Sequence, residues 1–117
     1  MKQKSFRVMN IYSKKLKLFK EVLMTNAEEH YNKGIELLNK DDFQMAASEF
    51  TQAMHEAFGE KNLRNWAEIN RGIAYFNLKN YSQARADWLE VLRFDDDPER
   101  INATKGLFDK LPEAYRS

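Results

Sequence analysis

A chain of 117 residues with 43% hydrophobic and 13% aromatic side chains has the size and apolar content for one small folded domain, which excludes bulk disorder. It has no cysteine, which removes disulfides, thiolate metal sites and cysteine nucleophiles together and fits a reducing, cytoplasmic setting. The net charge of +1 hides an asymmetry: residues 1–23 hold seven Lys or Arg against Glu21 alone, a net +6, whereas the other 94 residues hold 12 basic and 17 acidic side chains, a net −5.

In chain order, the basic arm MKQKSFRVMNIYSKKLKLFK comes first, with apolar runs of only a few residues. A secretory signal needs about 7–15 apolar residues and a membrane span about 20, so the arm reads as neither. Tyr12, Leu16, Phe19 and Leu23 recur at helical spacing, with Lys14, Lys17 and Glu21 largely on other faces, which predicts an amphipathic helix. Met24-Thr25-Asn26 reads as a boundary and a native start, with Thr25 or Asn26 capping the next helix, which would make the arm a dispensable extension or a disordered charged tail.

That next helix is AEEHYNKGIELLNK (27–40), with Tyr31, Ile35 and Leu38 on one stripe and Gly34 and Leu37 on its neighbour. Asp41-Asp42 breaks it, and Asp42 is placed to cap FQMAASEFTQAMHEA (43–57). FGEKNL (58–63) follows as a link in which Gly59 ends one helix before another starts. NWAEINRGIAYFNLK (65–79) is the next helix, and Asn80 caps YSQARADWLEVLRF (81–94), with Gln83 at capping-box spacing. Last, Asp97 as N-cap and Pro98 as first helical residue open a segment whose apolar face is Ile101 and Phe108 and which Pro112 ends.

Helices 65–79 and 81–94 repeat 27–40 and 43–57 at an offset of 38. Asn32, Gly34, Ile35, Asn39 and Ala46 fall on Asn70, Gly72, Ile73, Asn77 and Ala84; Leu37 falls on Tyr75, Phe43 on Tyr81, Glu49 on Asp87, Phe50 on Trp88 and Met54 on Leu92. Repetition at this period points to a stacked helical array. A helix-interior glycine costs on the order of 1 kcal/mol relative to alanine, so Gly34 and Gly72 need a reason. Two helices crossing at about 8–10 Å supply it, with Ala46 and Ala84 read as the opposing small residues.

These residues resemble tetratricopeptide repeats. From each glycine the family pattern asks for a large residue three on, an aromatic nine on, alanine twelve on, an aromatic sixteen on and a small residue nineteen on. The first unit has Gly34, Leu37, Phe43, Ala46, Phe50 and Ala53; the second has Gly72, Tyr75, Tyr81, Ala84, Trp88 and Val91. The departures are His30 and Glu68 in place of the tryptophan four residues before the glycine, Lys33 and Arg71 in place of the leucine just before it, and a missing or late closing proline. The resemblance covers about residues 27–98. It implies an all-α, antiparallel helix-hairpin array of two hairpins (about 27–58 and 65–97, within 24–97) wound as a right-handed superhelix, with residues 98–117 as capping helix and tail.

The resemblance also implies a protein-interaction scaffold that holds a partner in the groove lined by the first helix of each unit. The stripe there is Tyr31, Ile35 and Leu38 on one helix and Trp66, Ile69, Ile73 and Phe76 on the next, with Glu28 at its end. One reading makes it the helix–helix packing of a short array. The other makes it an open groove for a helix, from the arm, a second copy or a partner, since an exposed apolar stripe of that size exceeds what a monomer usually shows. Some family members clamp acidic C-terminal tails with a lysine three residues before the first glycine and an asparagine just after it. Those positions are Tyr31 and Ile35, and only Asn70 matches a clamp residue, so that binding mode is rejected.

No residues nominate a reaction. His30 and His55 lie on different helices, His30 at a helix-pair interface and His55 at the surface, with no cysteine or second histidine at i+4 for a transition metal. Asp95-Asp96-Asp97 lacks the alternating pattern and glycine of a calcium loop, and its place before Pro98 reads as helix capping. Phosphate loops and nucleophile elbows are absent. The expectation is therefore a non-catalytic protein with no cofactor and no metal, its partner a protein segment or a second copy. The arm, with Phe6, Tyr12 and Phe19 among its lysines, offers an alternative contact to nucleic acid or an anionic membrane, which the acidic body opposes.

Overall fold

The structure, a computed structural model, describes residues 2–117, with side chains at Leu18, Glu21, Val22 and from Met24 onward. The described residues form five α-helices and no strand: α1 (Lys2–Asn39), α2 (Phe43–Glu56), α3 (Lys61–Asn77), α4 (Tyr81–Phe94) and α5 (Pro98–Phe108), followed by a 3-10 turn at Glu113–Tyr115. No helix among them is long and apolar enough to cross a membrane.

The boundary expected at 24–26 is not there. Thr25 sits inside α1 and donates its hydroxyl to the Glu21 carbonyl oxygen at 3.0 Å, so it caps nothing. Met24, Thr25 and Asn26 include no glycine or proline, and a threonine hydroxyl satisfied by the preceding turn lets a helix pass. The arm thus continues α1 and does not fold back over the repeat body. The side chains of Tyr12, Leu16, Phe19 and Leu23, on which the amphipathic reading of the arm rests, lie outside the described residues.

Connections of a few residues make consecutive helices antiparallel, and each packs on the next. Beyond these neighbours, α1 touches α3 and α3 touches α5, whereas α2 and α4 do not meet. The odd-numbered helices therefore form the tighter, inner layer, and the even-numbered ones splay apart. Gln44, Met45, Ser48 and Thr51 of α2 face Leu78, Asn80 and Gln83 across that outer wedge, a cleft of about 640 Å³.

The 38-residue repeat is visible in the backbone. Asp41 and Lys79 both take the left-handed conformation at φ 61°, and Asp42 and Asn80 follow at φ −90°, ψ 72° and φ −89°, ψ 72°. Asp42 N–H donates to Leu37 O and Asn80 N–H to Tyr75 O, each at 2.9 Å. Asp42 and Asn80 stand at the N-cap positions, but neither side chain caps its helix; the Asn80 amide instead donates to Gln83 Oε1. The expected cap at Asp97 does form, its Oδ2 accepting from Arg100 N–H at 2.9 Å, whereas α2 has Ala57 as its C-cap residue and Gly59 (φ 80°) lies two residues on in the link.

The residues opposite the glycines are aromatic, not Ala46 and Ala84. A Cβ on Gly34 would lie 2.6 Å from Phe50 Cε1, and one on Gly72 would lie 2.8 Å from Trp88 Cδ1 and Cε2. Each ring presses on bare helix backbone, close enough for Trp88 Nε1–H to donate to Ile69 O at 3.1 Å. Phe50 with Ala46, Ala47, Ala53, Ala67 and Ala74 forms one core, and Trp88 with Ala84 and Leu111 forms the next.

Two further differences are local. α3 begins at Lys61, four residues before the expected Asn65. Residues 61–64, expected ahead of the helix, thus add one turn to its start. α5 ends at Phe108, before Pro112, and the chain then turns back so that Tyr115 stacks near Tyr81, ring centres 5.5 Å apart.

Candidate functional site

The extra turn of α3 matters because it builds a wall. Asn62, Leu63 and Trp66, with Glu60 just before the helix, face Met24, Glu28 and Tyr31 of α1 across an open cleft of about 390 Å³ on the inner layer. Met24, Tyr31, Leu63 and Trp66 make it apolar, while Glu28 and Glu60 are exposed and bring only negative charge. The α3 wall is held from behind. Asn62 Oδ1 accepts from Arg100 Nη1 at 2.8 Å, and Lys61 Nζ pairs with Asp96 at 2.9 Å.

Arg100 is anchored in turn by the buried Asp95, its Nε and Nη2 donating to the carboxylate at 2.6 and 3.0 Å. Asp95 Oδ1 also accepts the backbone N–H groups of Asp96 and Asp97. Arg100, more than these amides, holds the Asp95 carboxyl well below the usual carboxylate range. The aspartate run is accounted for by this lock and by the Asp97 cap.

Of the residues expected to line the groove, only Tyr31 and Trp66 reach the cleft. Ile35 and Leu38 pack against the first core, and Ile73 and Phe76 against the second, with the Phe76 ring centre 5.5 Å from Tyr81 and 5.9 Å from Trp88. Ile69 is 2% exposed and closed to any partner. α3 touches all four other helices, and Ile35, Leu38, Ile73 and Phe76 are half-buried in those contacts. Asn70 is used internally, its amide donating to Tyr31 OH at 3.1 Å and to Trp66 O at 3.0 Å. Burial raises the Tyr31 phenol above its ordinary value, partly offset by Asn70.

Met24, Glu60, Asn62 and Leu63 were not expected at a site, because residues 58–63 read as a link. Lys61 to Arg64 contain no glycine or proline, and that was the signal that the helix starts before Asn65.

The positions where the sequence departs from the family pattern also belong together. His30 donates from Nδ1 to Glu49 Oε2 at 2.6 Å, and Lys33 Nζ lies 3.8 Å from the same carboxylate. One period on, Arg71 forks onto Asp87 at 3.0 and 2.7 Å and donates to Thr51 Oγ1 at 3.1 Å, tying α2, α3 and α4 across the splayed side. Glu68, equivalent to His30, is 2% exposed, and its Oε1 has no hydrogen-bond partner, with Arg64 Nη1 4.0 Å away. Burial first, then Glu90 and Asp87, push its carboxyl up to about 8. These groups bind one another, and none of them reaches the inner cleft.

Comparison with protein-family models, curated proteins and solved structures found no match for this chain.

Proposed function

We propose that the chain is a non-catalytic, cytoplasmic protein-recognition module built as a short tetratricopeptide-like superhelix. The inner cleft between α1 and α3 takes a partner segment that presents an apolar side chain next to a lysine or arginine. The observation that carries the reading is the pairing in one cleft of Met24, Tyr31, Leu63 and Trp66 with the two exposed carboxylates of Glu28 and Glu60. The curvature supports it, since ligands of stacked helical arrays sit on the concave side. So do the repeated glycine–aromatic contacts Gly34–Phe50 and Gly72–Trp88, which match the family spacing. An apolar anchor in a desolvated pocket with charges at its rim is a common plan for such recognition.

Selection from a displayed random-peptide library against the full chain tests this. Enriched peptides should share an apolar residue flanked by basic ones and bind the Glu28→Lys/Glu60→Lys variant about tenfold or more weakly. No enrichment, or peptides indifferent to both reversals, sinks the reading. These rim positions are exposed, so the variant leaves the cores intact. Ile73→Asp would place a charge against the Trp88 core and report only on folding.

A further inference from the structure

α1 is 38 residues and about 57 Å long, whereas α2, which packs along its C-terminal part, is 14 residues and about 21 Å. Its first buried described residue is Ala27, so much of the helix runs on past the body. A helix without tertiary support is marginal in water. Here the overhang carries Leu18 and Val22 at 61% and 60% exposure.

These two side chains belong to a longer exposed stripe. Leu18, Val22, Thr25, Glu29, Asn32 and Glu36 are all exposed and follow one another at alternating steps of four and three residues, the spacing of one helix face. Before Leu18 the sequence is basic, with Lys14, Lys15 and Lys17 nearest to it. The exposed stripe is thus apolar at Leu18 and Val22 and acidic at Glu29 and Glu36, the last paired with Lys40 at 2.8 Å.

We propose that this face of α1 pairs antiparallel with the same face of α1 in a second copy of the chain, about a two-fold axis between Leu18 and Val22. Leu18 then meets Val22 of the second copy, and the register of the two helices sets the basic segment 1–23, net +6, alongside the stretch that carries Glu29 and Glu36. A parallel pair would set the +6 segment beside its own copy, and the antiparallel one sets it beside the acidic half. The opposed helix dipoles favour the same arrangement. The contact is isologous and closes as a dimer. An anionic polymer or lipid surface would match the lysines but repel Glu29 and Glu36 of the stripe. The inner cleft, on another face, is untouched, so this proposal stands apart from the peptide-binding one.

The test uses the full chain by sedimentation. A species of twice 13.9 kDa is expected at micromolar concentration, weakening as salt rises. Lys14→Glu/Lys15→Glu and Glu29→Lys/Glu36→Lys should each associate at least about tenfold more weakly, and an equimolar mixture should recover the dimer. Helix content by circular dichroism establishes that both variants are folded. The chain has no cysteine of its own, so Leu18→Cys and Val22→Cys supply a second readout. Mixed, they should form the 18–22 disulfide faster than either variant couples to itself. A monomer at every concentration, no recovery on mixing, or faster self-coupling at position 18 overturns the proposal.

Discussion

Gly34 and Gly72 each lie beneath an aromatic ring, and what they give the fold is the missing Cβ rather than backbone freedom. Gly106 on α5 has the same helical setting with nothing within 4 Å of a Cβ built there. The three positions therefore separate packing from propensity. Gly72→Ala drives a methyl into a rigid, fully buried indole and should cost about 2–4 kcal/mol, beyond ordinary overpacking because Trp88 also loses its bond to Ile69 O. Gly106→Ala gains helix propensity at no steric cost and should stabilise by about 0.5–1 kcal/mol. Urea unfolding of the two variants beside the parent decides the matter, and equal effects of the same sign would contradict the ring-over-backbone contact.

Between elements, the α3–α4 seam holds a carboxyl group at odds with its surroundings. Glu68 faces Arg64 and Arg71 but also Asp87 and Glu90, and its folded value of about 8 stands above the ordinary 4.5. Between those two values the folded chain keeps a proton that the unfolded chain has released. Its contribution to stability is therefore complete below pH 4.5 and is lost as pH rises toward 8. Glu68→Gln should flatten that slope and raise stability at pH 8 by about 1–3 kcal/mol, measured by urea unfolding at pH 5 and pH 8. A parallel shift at both pH values would mean that Glu68 is not the titrating group. The helices themselves were legible where a residue forces a decision. Asp42, Asn80 and the Asp97-Pro98 pair mark the starts of α2, α4 and α5 because the chain must reverse there. The junction at 24–26 and the start of α3 were not legible, since Met24-Thr25-Asn26 and Lys61 to Arg64 offer no breaker and a helix crosses them without local cost. The inner cleft stayed hidden for the same reason, being made by a turn that only the stacking of α3 on α1 turns toward a partner.

At the scale of the whole molecule, the last layer of this short stack is tied to the layers before it by a buried ion pair as well as by the Trp88 core. Arg100 joins Asp95 to Asn62, so α5, the α4–α5 corner and the wall of the cleft share a single guanidinium. Arg100→Met leaves the Asp95 carboxylate buried and unpaired, and should cost about 3–5 kcal/mol with faster amide exchange throughout α5. That pair stabilises above the ordinary carboxylate value of 3.8, and its contribution disappears as pH falls below it. Restoration of most of the loss by adding Asp95→Leu would assign it to the stranded charge rather than to the missing side chain. The two tryptophans divide along the same lines. Trp88 is sealed at 1% exposure under a helix backbone, and Trp66 stands at the mouth of the cleft. The chain thus carries two natural chromophores in unlike surroundings: the emission of one follows the integrity of the stack, and that of the other follows what enters from outside, so folding and occupancy are separable in a single spectrum without a label.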